Sequence, residues 1–219
     1  MHNVTVAFAV LLVMLLSYFF GCFNGSFMVS HFIIRDDVRK HGSGNAGLTN
    51  FYRTYGAKYA LLVIACDMGK TVAACLLGSF FFRCLGWDGT LGTLLAGLGC
   101  ELGHIFPVFY GFRGGKGILS GGTLVLLLNW RVAAVAWALF LLLWLTTRYV
   151  SLASITATSS APITVYFVYG HNWLYTGLCL AVAALVVWCH RENIQRLLHG
   201  TEKKFKWHVN PTEGKDPPE

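Results

Sequence analysis

Charge is scarce in this chain. Only 12% of its 219 residues are Asp, Glu, Lys or Arg, while 55% are hydrophobic. A soluble domain cannot hide that much apolar side chain inside itself. A water-soluble fold is excluded, and an all-α polytopic membrane protein of one domain is expected. Paired cysteines are missing as well. The seven Cys show no CxxC spacing and no His-rich neighbourhood. That argues against both a disulfide framework and a zinc site. Most, such as Cys66, Cys75, Cys100, Cys179 and Cys189, lie in apolar runs and read as small buried hydrophobes. The first apolar run, 4–23, lacks a basic leader and an A-x-A cleavage signal. It reads as a spanning helix, not a cleaved signal peptide. No internal repeat of fixed period is visible.

Apolar runs fall at about 4–23, 67–86, 89–109, 118–128, 131–147, 150–169 and 172–190. A full span needs roughly 20 residues, so 118–128 is short. It meets the next run through Asn129-Trp130-Arg131. One rod from 118 to 147 would overshoot the bilayer, so a turn at this polar break is favoured over a single helix. The expectation is about seven transmembrane helices, one of them short. With the N-terminus outside, 14 of the 17 Lys and Arg residues fall on one face. Only Arg83 and Arg131 fall on the other, and Lys70 sits within a span. So lopsided a split places the C-terminus in the cytoplasm. A five-span count keeps the same two ends and is the alternative. Residues 51–66 read as an interfacial amphipathic piece leading into the second span. Residues 1–200 form the membrane domain, and 201–219 read as a loosely ordered cytoplasmic tail. Its KKFKW stretch, 203–207, suits either contact with anionic headgroups or plain solvation.

Three polar clusters share the basic face. The first, HGSGNAGLTNFYR at 41–53, interleaves Ser43, Asn45, Thr49 and Asn50 with glycines and ends in Arg53. Such a loop offers N–H groups and hydroxyls, and Arg53 a planar fork suited to phosphate. The second, GHIFPVFYGFRGGKG at 103–117, brings Gly114, Gly115 and Gly117 around Lys116. Those glycines let backbone approach an anion closely, and a helix starting near Gly117 would add positive charge. Tyr110 and Gly117 break the Walker A pattern, so nucleotide hydrolysis is not expected. The third, HRENIQRLLHGTE at 190–202, places His190 and Asn193 one helical turn apart, with Arg191 and Arg196 elsewhere. Each cluster alone also suits an ordinary inter-helix loop with snorkelling cations. Together they suggest a site for a phosphorylated ligand supplied from the cytosol.

Polar residues within the spans read as structural. Asp67 and Lys70, spaced i, i+3, are expected at the start of the second span, where Asp67 would suit a helix N-terminus. Glu101 and His104 share that spacing near the end of the third, with Glu101 orienting or neutralising His104. The small-residue run 153–161 reads as a close helix-packing face.

At the three clusters the chain resembles the bacterial acyl-phosphate:glycerol-3-phosphate acyltransferases of the PlsY type. Gly42 to Arg53 is similar to that family's GSGN-x-G-x-TN-x-x-R loop. Gly103 to Gly117 is similar to its GH-x-FP-x-F-x-x-F-x-GGKG loop, and His190 to Lys204 to its H-x-x-NI-x-R-L-x-x-G-x-E-x-K segment. Ala46, Leu48 and Thr71 depart from the usual pattern. The resemblance implies transfer of a fatty acyl group from acyl phosphate to the 1-hydroxyl of glycerol 3-phosphate. The products would be lysophosphatidic acid and inorganic phosphate, the first step of phospholipid synthesis. It implies catalytic roles for Ser43, Arg53, Lys116, His190 and Asn193. Substrate or phosphate binding would fall to Asn45, Thr49, Asn50, His104, Gly114, Gly115 and Gly117, with Glu202 a structural partner of the third motif. It implies a multi-pass protein of the bacterial inner membrane with its site on the cytoplasmic side. No cofactor, metal, nucleic acid or obligatory protein partner is expected.

No Ser-His-Asp triad pattern is evident. The proton acceptor is therefore either His190 or a phosphate of the substrate, and transfer is expected to be direct, without an acyl-enzyme. A transporter or channel for a phosphorylated solute would use the same cationic loops. It would also need a polar path to the far side, where little beyond Arg83, Asp88 and Arg131 is found.

Overall fold

The computed structural model describes residues 2–206, with side chains from residue 4 onward. All regular structure in that range is helical. Ten α-helices follow in order: α1 His2–Cys22, α2 Gly25–Met28, α3 Leu48–Tyr55, α4 Ala60–Cys84, α5 Gly89–Ile105, α6 Ile118–Leu128, α7 Trp130–Thr147, α8 Val150–Val168, α9 Trp173–Cys189 and α10 Arg191–Leu198. A π-helical segment, Val29–Ile34, and two 3-10 turns, Val38–Lys40 and Val108–Tyr110, fill part of the connections.

All seven apolar runs are helical. Four segments are long and apolar enough to cross a bilayer: Val4–Ile34, Ala60–Cys84, Gly89–Tyr110 and Trp130–Thr147. Helices α9 and α10, bent by 58° at their junction, make a fifth if they form one span. Helix α6, with 11 residues, is a shorter apolar piece. The chain is thus an all-helical, multi-pass membrane protein. Phe8, Leu11, Leu76, Phe80, Leu142 and Leu145 stand outward, as lipid-facing side chains do.

The second span begins earlier than expected. Gly56, at φ 75°, stops α3, and the apolar stretch ALLVIAC then starts α4 at Ala60 instead of 67. Only residues 48–55 form the separate amphipathic helix. Asp67 and Lys70 therefore lie well inside α4, not at its start. The carboxylate still meets a helix N-terminus, but a different one: Asp67 Oδ1 accepts from the Gly25 N–H at 3.0 Å, where α2 begins.

Helices α1, α4 and α5 form the centre. A Cβ at Gly103 would lie 1.9 Å from the Tyr18 carbonyl oxygen, and one at Gly21 would lie 2.0 Å from that of Cys100. Glycine at both positions lets α1 and α5 touch backbone to backbone. The polar break after α6 is a turn, as expected. Asn129 is extended there, and its Oδ1 accepts from Arg131 N at 2.9 Å, which caps α7. Helix α8 packs between α7 and α9 and buries Ser154, Ala157 and Ala161. The small-residue run is a packing face.

Residues 201–206, the start of the segment read as loosely ordered, pack back on the helices. Phe205 N donates to Arg148 O at 2.8 Å, and its ring stacks on Tyr52 with centroids 5.3 Å apart. The rest of that segment, 207–219, lies outside the described residues.

Candidate active site

The first loop is shaped by Asn50. This buried side chain donates to the carbonyls of Val38 and His41 at 3.1 and 3.0 Å and accepts from Ser43 N at 3.0 Å. One amide thus closes the turn that carries Ser43, whose side chain is exposed. Gly42 adopts φ 59°, and a Cβ there would lie 2.4 Å from Asn50 Oδ1. Asn45, past this turn, and Thr49, in the first turn of α3, are half-buried. Asn24 fastens this loop to the end of α1, donating to Ala46 O at 2.9 Å while its Oδ1 caps α2 at Phe27 N.

The glycine loop follows α5 and closes back on it. Gly115 N donates to His104 O and Gly114 N to Ile105 O, both at 3.1 Å. These carbonyls sit in the last turn of α5, where helical partners run out. The N–H groups of Gly114 and Gly115 thus cap the end of α5. Gly114 O accepts from Ala46 N at 3.3 Å, which ties the second loop to the first. Gly117, at φ 81°, starts α6 with no side-chain cap. The start of α6 thus lies beside Lys116, and that terminus carries partial positive charge.

The third cluster forms around the bend between α9 and α10. His190 sits at the bend, and its Nδ1 lies 2.7 Å from the Val186 carbonyl. A carbonyl only accepts, so Nδ1 carries the proton and the neutral ring keeps its lone pair on Nε2. Asn193 is buried one turn on. Its Oδ1 accepts from Lys116 Nζ, and its Nδ2 donates to Glu202 Oε1 at 2.6 Å. Glu202 also accepts from Ser151 at 2.7 Å and from Arg196 Nε at 2.7 Å. Burial would raise the Glu202 pKa, but the hydrogen bonds from Arg196, Asn193 and Ser151 outweigh it and hold the carboxyl below its usual range. Lys116 moves the other way. Burial, helped by the Arg196 charge, lowers its pKa against the opposing pull of Glu202, Glu192 and Cys189.

Arg53 completes the convergence. Half-buried on α3, it donates from Nη2 to Lys203 O at 3.1 Å, just past Glu202. All three polar clusters are therefore joined: 41–53 to the glycine loop through Ala46 and Gly114, the glycine loop to α10 through Lys116 and Asn193, and α3 to the chain after α10 through Arg53.

A sequence profile described as glycerol-3-phosphate acyltransferase matches residues 11–200. The chain belongs to that family. It is 38% identical over 189 residues to the glycerol-3-phosphate acyltransferase of Finegoldia magna, covering 86% of this chain and 92% of that one. It is 40% identical over 195 residues to the one of Alkaliphilus metalliredigens, covering 89% and 95%. The crystal structure of PlsY, an integral membrane glycerol 3-phosphate acyltransferase, in its glycerol 3-phosphate form matches with TM-score 0.80 at 36% identity, over 90% of this chain and 96% of that one. The lysophosphatidic acid form matches with TM-score 0.78 at 34% identity, over the same shares.

Two residues of this acyltransferase cluster were not singled out by sequence. Arg196 was placed away from the site, yet it binds Glu202. The i, i+3 step from Asn193 was the signal that puts it on the same face. Ser151 lies in the first turn of α8, far along the chain from Glu202, and no local pattern marks it. His104 was read as touching phosphate. It is 3% exposed, with Nδ1 2.8 Å from Lys70 Nζ, beneath the glycine loop.

Proposed function

We propose that this chain moves a fatty acyl group from acyl phosphate to the 1-hydroxyl of glycerol 3-phosphate and releases lysophosphatidic acid and inorganic phosphate. The supporting observation is the meeting of Lys116 with Asn193, which brings the glycine loop and α10 to one point. Family membership supplies the reaction class, and the cations supply the chemistry. Lys116, Arg53 and the open start of α6 hold phosphate, with Ser43 and the first loop completing the donor set.

The step is a direct displacement. The substrate hydroxyl oxygen attacks the acyl carbonyl carbon. The bond from that carbon to the phosphate oxygen breaks, and phosphate leaves with the electron pair. The leaving group is already good, so the protein mainly aligns two anions and donates to the developing oxyanion. The hydroxyl proton passes to a substrate phosphate, which the cationic site holds nearby. His190 Nε2 is the second candidate acceptor, because its lone pair is free for that task. No acyl-enzyme forms.

The membrane arrangement belongs to the same reading. Seven crossings, one of them the short α6, put the N-terminus outside and the three clusters at the cytoplasmic face of the bacterial inner membrane. An acyl chain then partitions into lipid at about 0.8 kcal/mol per methylene, while glycerol 3-phosphate arrives from the cytosol toward the basic surface. Residues 1–200 form the acyltransferase domain, braced by Glu202 from the segment that follows, and no metal, cofactor or protein partner is needed. Purified protein in detergent tests this directly. Phosphate release from acyl phosphate is expected only when glycerol 3-phosphate is present. Release at the same rate without it would sink the proposal.

A further inference from the structure

Beneath the glycine loop lie two buried side chains that the reaction does not use. Glu101 and His104 stand three residues apart on α5, 1% and 3% exposed. Each lies against one glycine of the loop. A Cβ at Gly115 would come 2.1 Å from His104 Nε2, and one at Gly117 would come 1.4 Å from Glu101 Oε1. Glu101 Oε1 is buried and makes no hydrogen bond among the described residues. Lys116, between the two glycines, reaches Asn193 instead.

His104 is itself held. Lys70 Nζ reaches its Nδ1 at 2.8 Å, Asp67 Oδ1 at 2.9 Å, and the carbonyls of Gly21 and Phe23 at 3.1 and 3.0 Å. Lys70 thus ties the His104 ring to Asp67 and to the end of α1, and Nε2 faces the loop. A buried ion pair contributes little to net stability on average, but it fixes geometry when its remaining bonds are satisfied. Here it fixes a surface, anchored in α1 and α4, on which the loop rests.

We infer that Glu101 and His104 are positioning residues, forming a floor under Gly115 and Gly117 that aims Lys116 at the substrate phosphate. The inference rests on the phosphate-gripping role proposed for Lys116. A loop with its floor removed can settle inward and carry the ammonium with it. Misplacement by about 1 Å can cost on the order of a hundredfold in rate.

The test uses the full chain in detergent, with inorganic phosphate as an inhibitor of turnover and thermal unfolding as the measure of folded protein. Per folded molecule, Glu101→Ala and His104→Ala each raise the phosphate inhibition constant about tenfold or more, while isosteric Glu101→Gln stays within about threefold. The isosteric pair separates positioning from folding, because Glu101→Gln keeps the volume beneath Gly117 that Glu101→Ala removes. Unchanged phosphate inhibition in both alanine variants, or a loss in Glu101→Gln as large as in Glu101→Ala, overturns the inference while Lys116→Ala still loses phosphate. If Lys116→Ala binds phosphate as tightly as the parent, the phosphate reading itself falls and the floor loses its purpose.

Discussion

Asn193 donates its side-chain amide to Glu202 at 2.6 Å, and this turns its carbonyl oxygen toward Lys116. Glu202 thus orients the partner of the proposed phosphate-binding cation without touching substrate. Its two oxygens accept from Asn193, Ser151 and Arg196. Glu202→Gln replaces an acceptor by a donor that faces other donors. We expect turnover per folded molecule to fall roughly tenfold or more, since hydrogen bonds to a charged group contribute about 1.5–3 kcal/mol each. The thermal midpoint should also drop. Steady-state kinetics beside a melting curve measure both, and wild-type values for both would remove Glu202 from the account.

Lys116→Ala and Arg53→Ala test the phosphate grip. Each removes a cation that joins two of the clusters. Loss of one such electrostatic contact typically costs about 10²–10³ in rate. We expect at least that loss, with the protein still folded by circular dichroism and size-exclusion chromatography. Near-normal turnover in both would contradict the grip.

The pH profile carries the sign of the Lys116 shift. Burial lowers its pKa, and the ammonium exists only below that pKa. Phosphate affinity should therefore be full on the neutral side and fade as pH rises, before an ordinary lysine would lose its charge. Lys116→Arg should remove this limb, because a guanidinium stays protonated. Phosphate inhibition titrated against pH measures both, and an unchanged limb in the arginine variant would assign it elsewhere.

His190→Gln separates the two proton acceptors. A general base typically contributes about 10²–10⁴ in rate. With a substrate phosphate as acceptor, we expect the variant to retain turnover within about tenfold, below that range. A larger loss in a folded variant would make His190 Nε2 the base.

Much of the frame was legible because it is written in local chemistry. The Asn129 break caps the next helix, and the three donor-rich clusters are readable as composition. What escaped was where buried polar groups find partners across the chain. Asp67 lies 42 residues from Gly25, and Lys70 lies 34 from His104. No periodicity carries such pairings. The packing of the glycine loop was hidden for a related reason. Glycine signals close backbone approach, and the approach at Gly114 and Gly115 is to α5 itself. The early start of α4 was hidden by tyrosines and a lysine that blur the boundary at 55–59.

The central claim is that three loops form one phosphate site at the cytoplasmic face. Cysteines introduced one at a time at 43, 116 and 193, in a background with the exposed Cys84 and the half-buried Cys66 and Cys189 changed to serine, can be probed with a membrane-impermeant maleimide in vesicles of known orientation. The account predicts that all three label only from the cytoplasmic side and that inorganic phosphate protects position 193. Labelling of any one from the opposite side would contradict it.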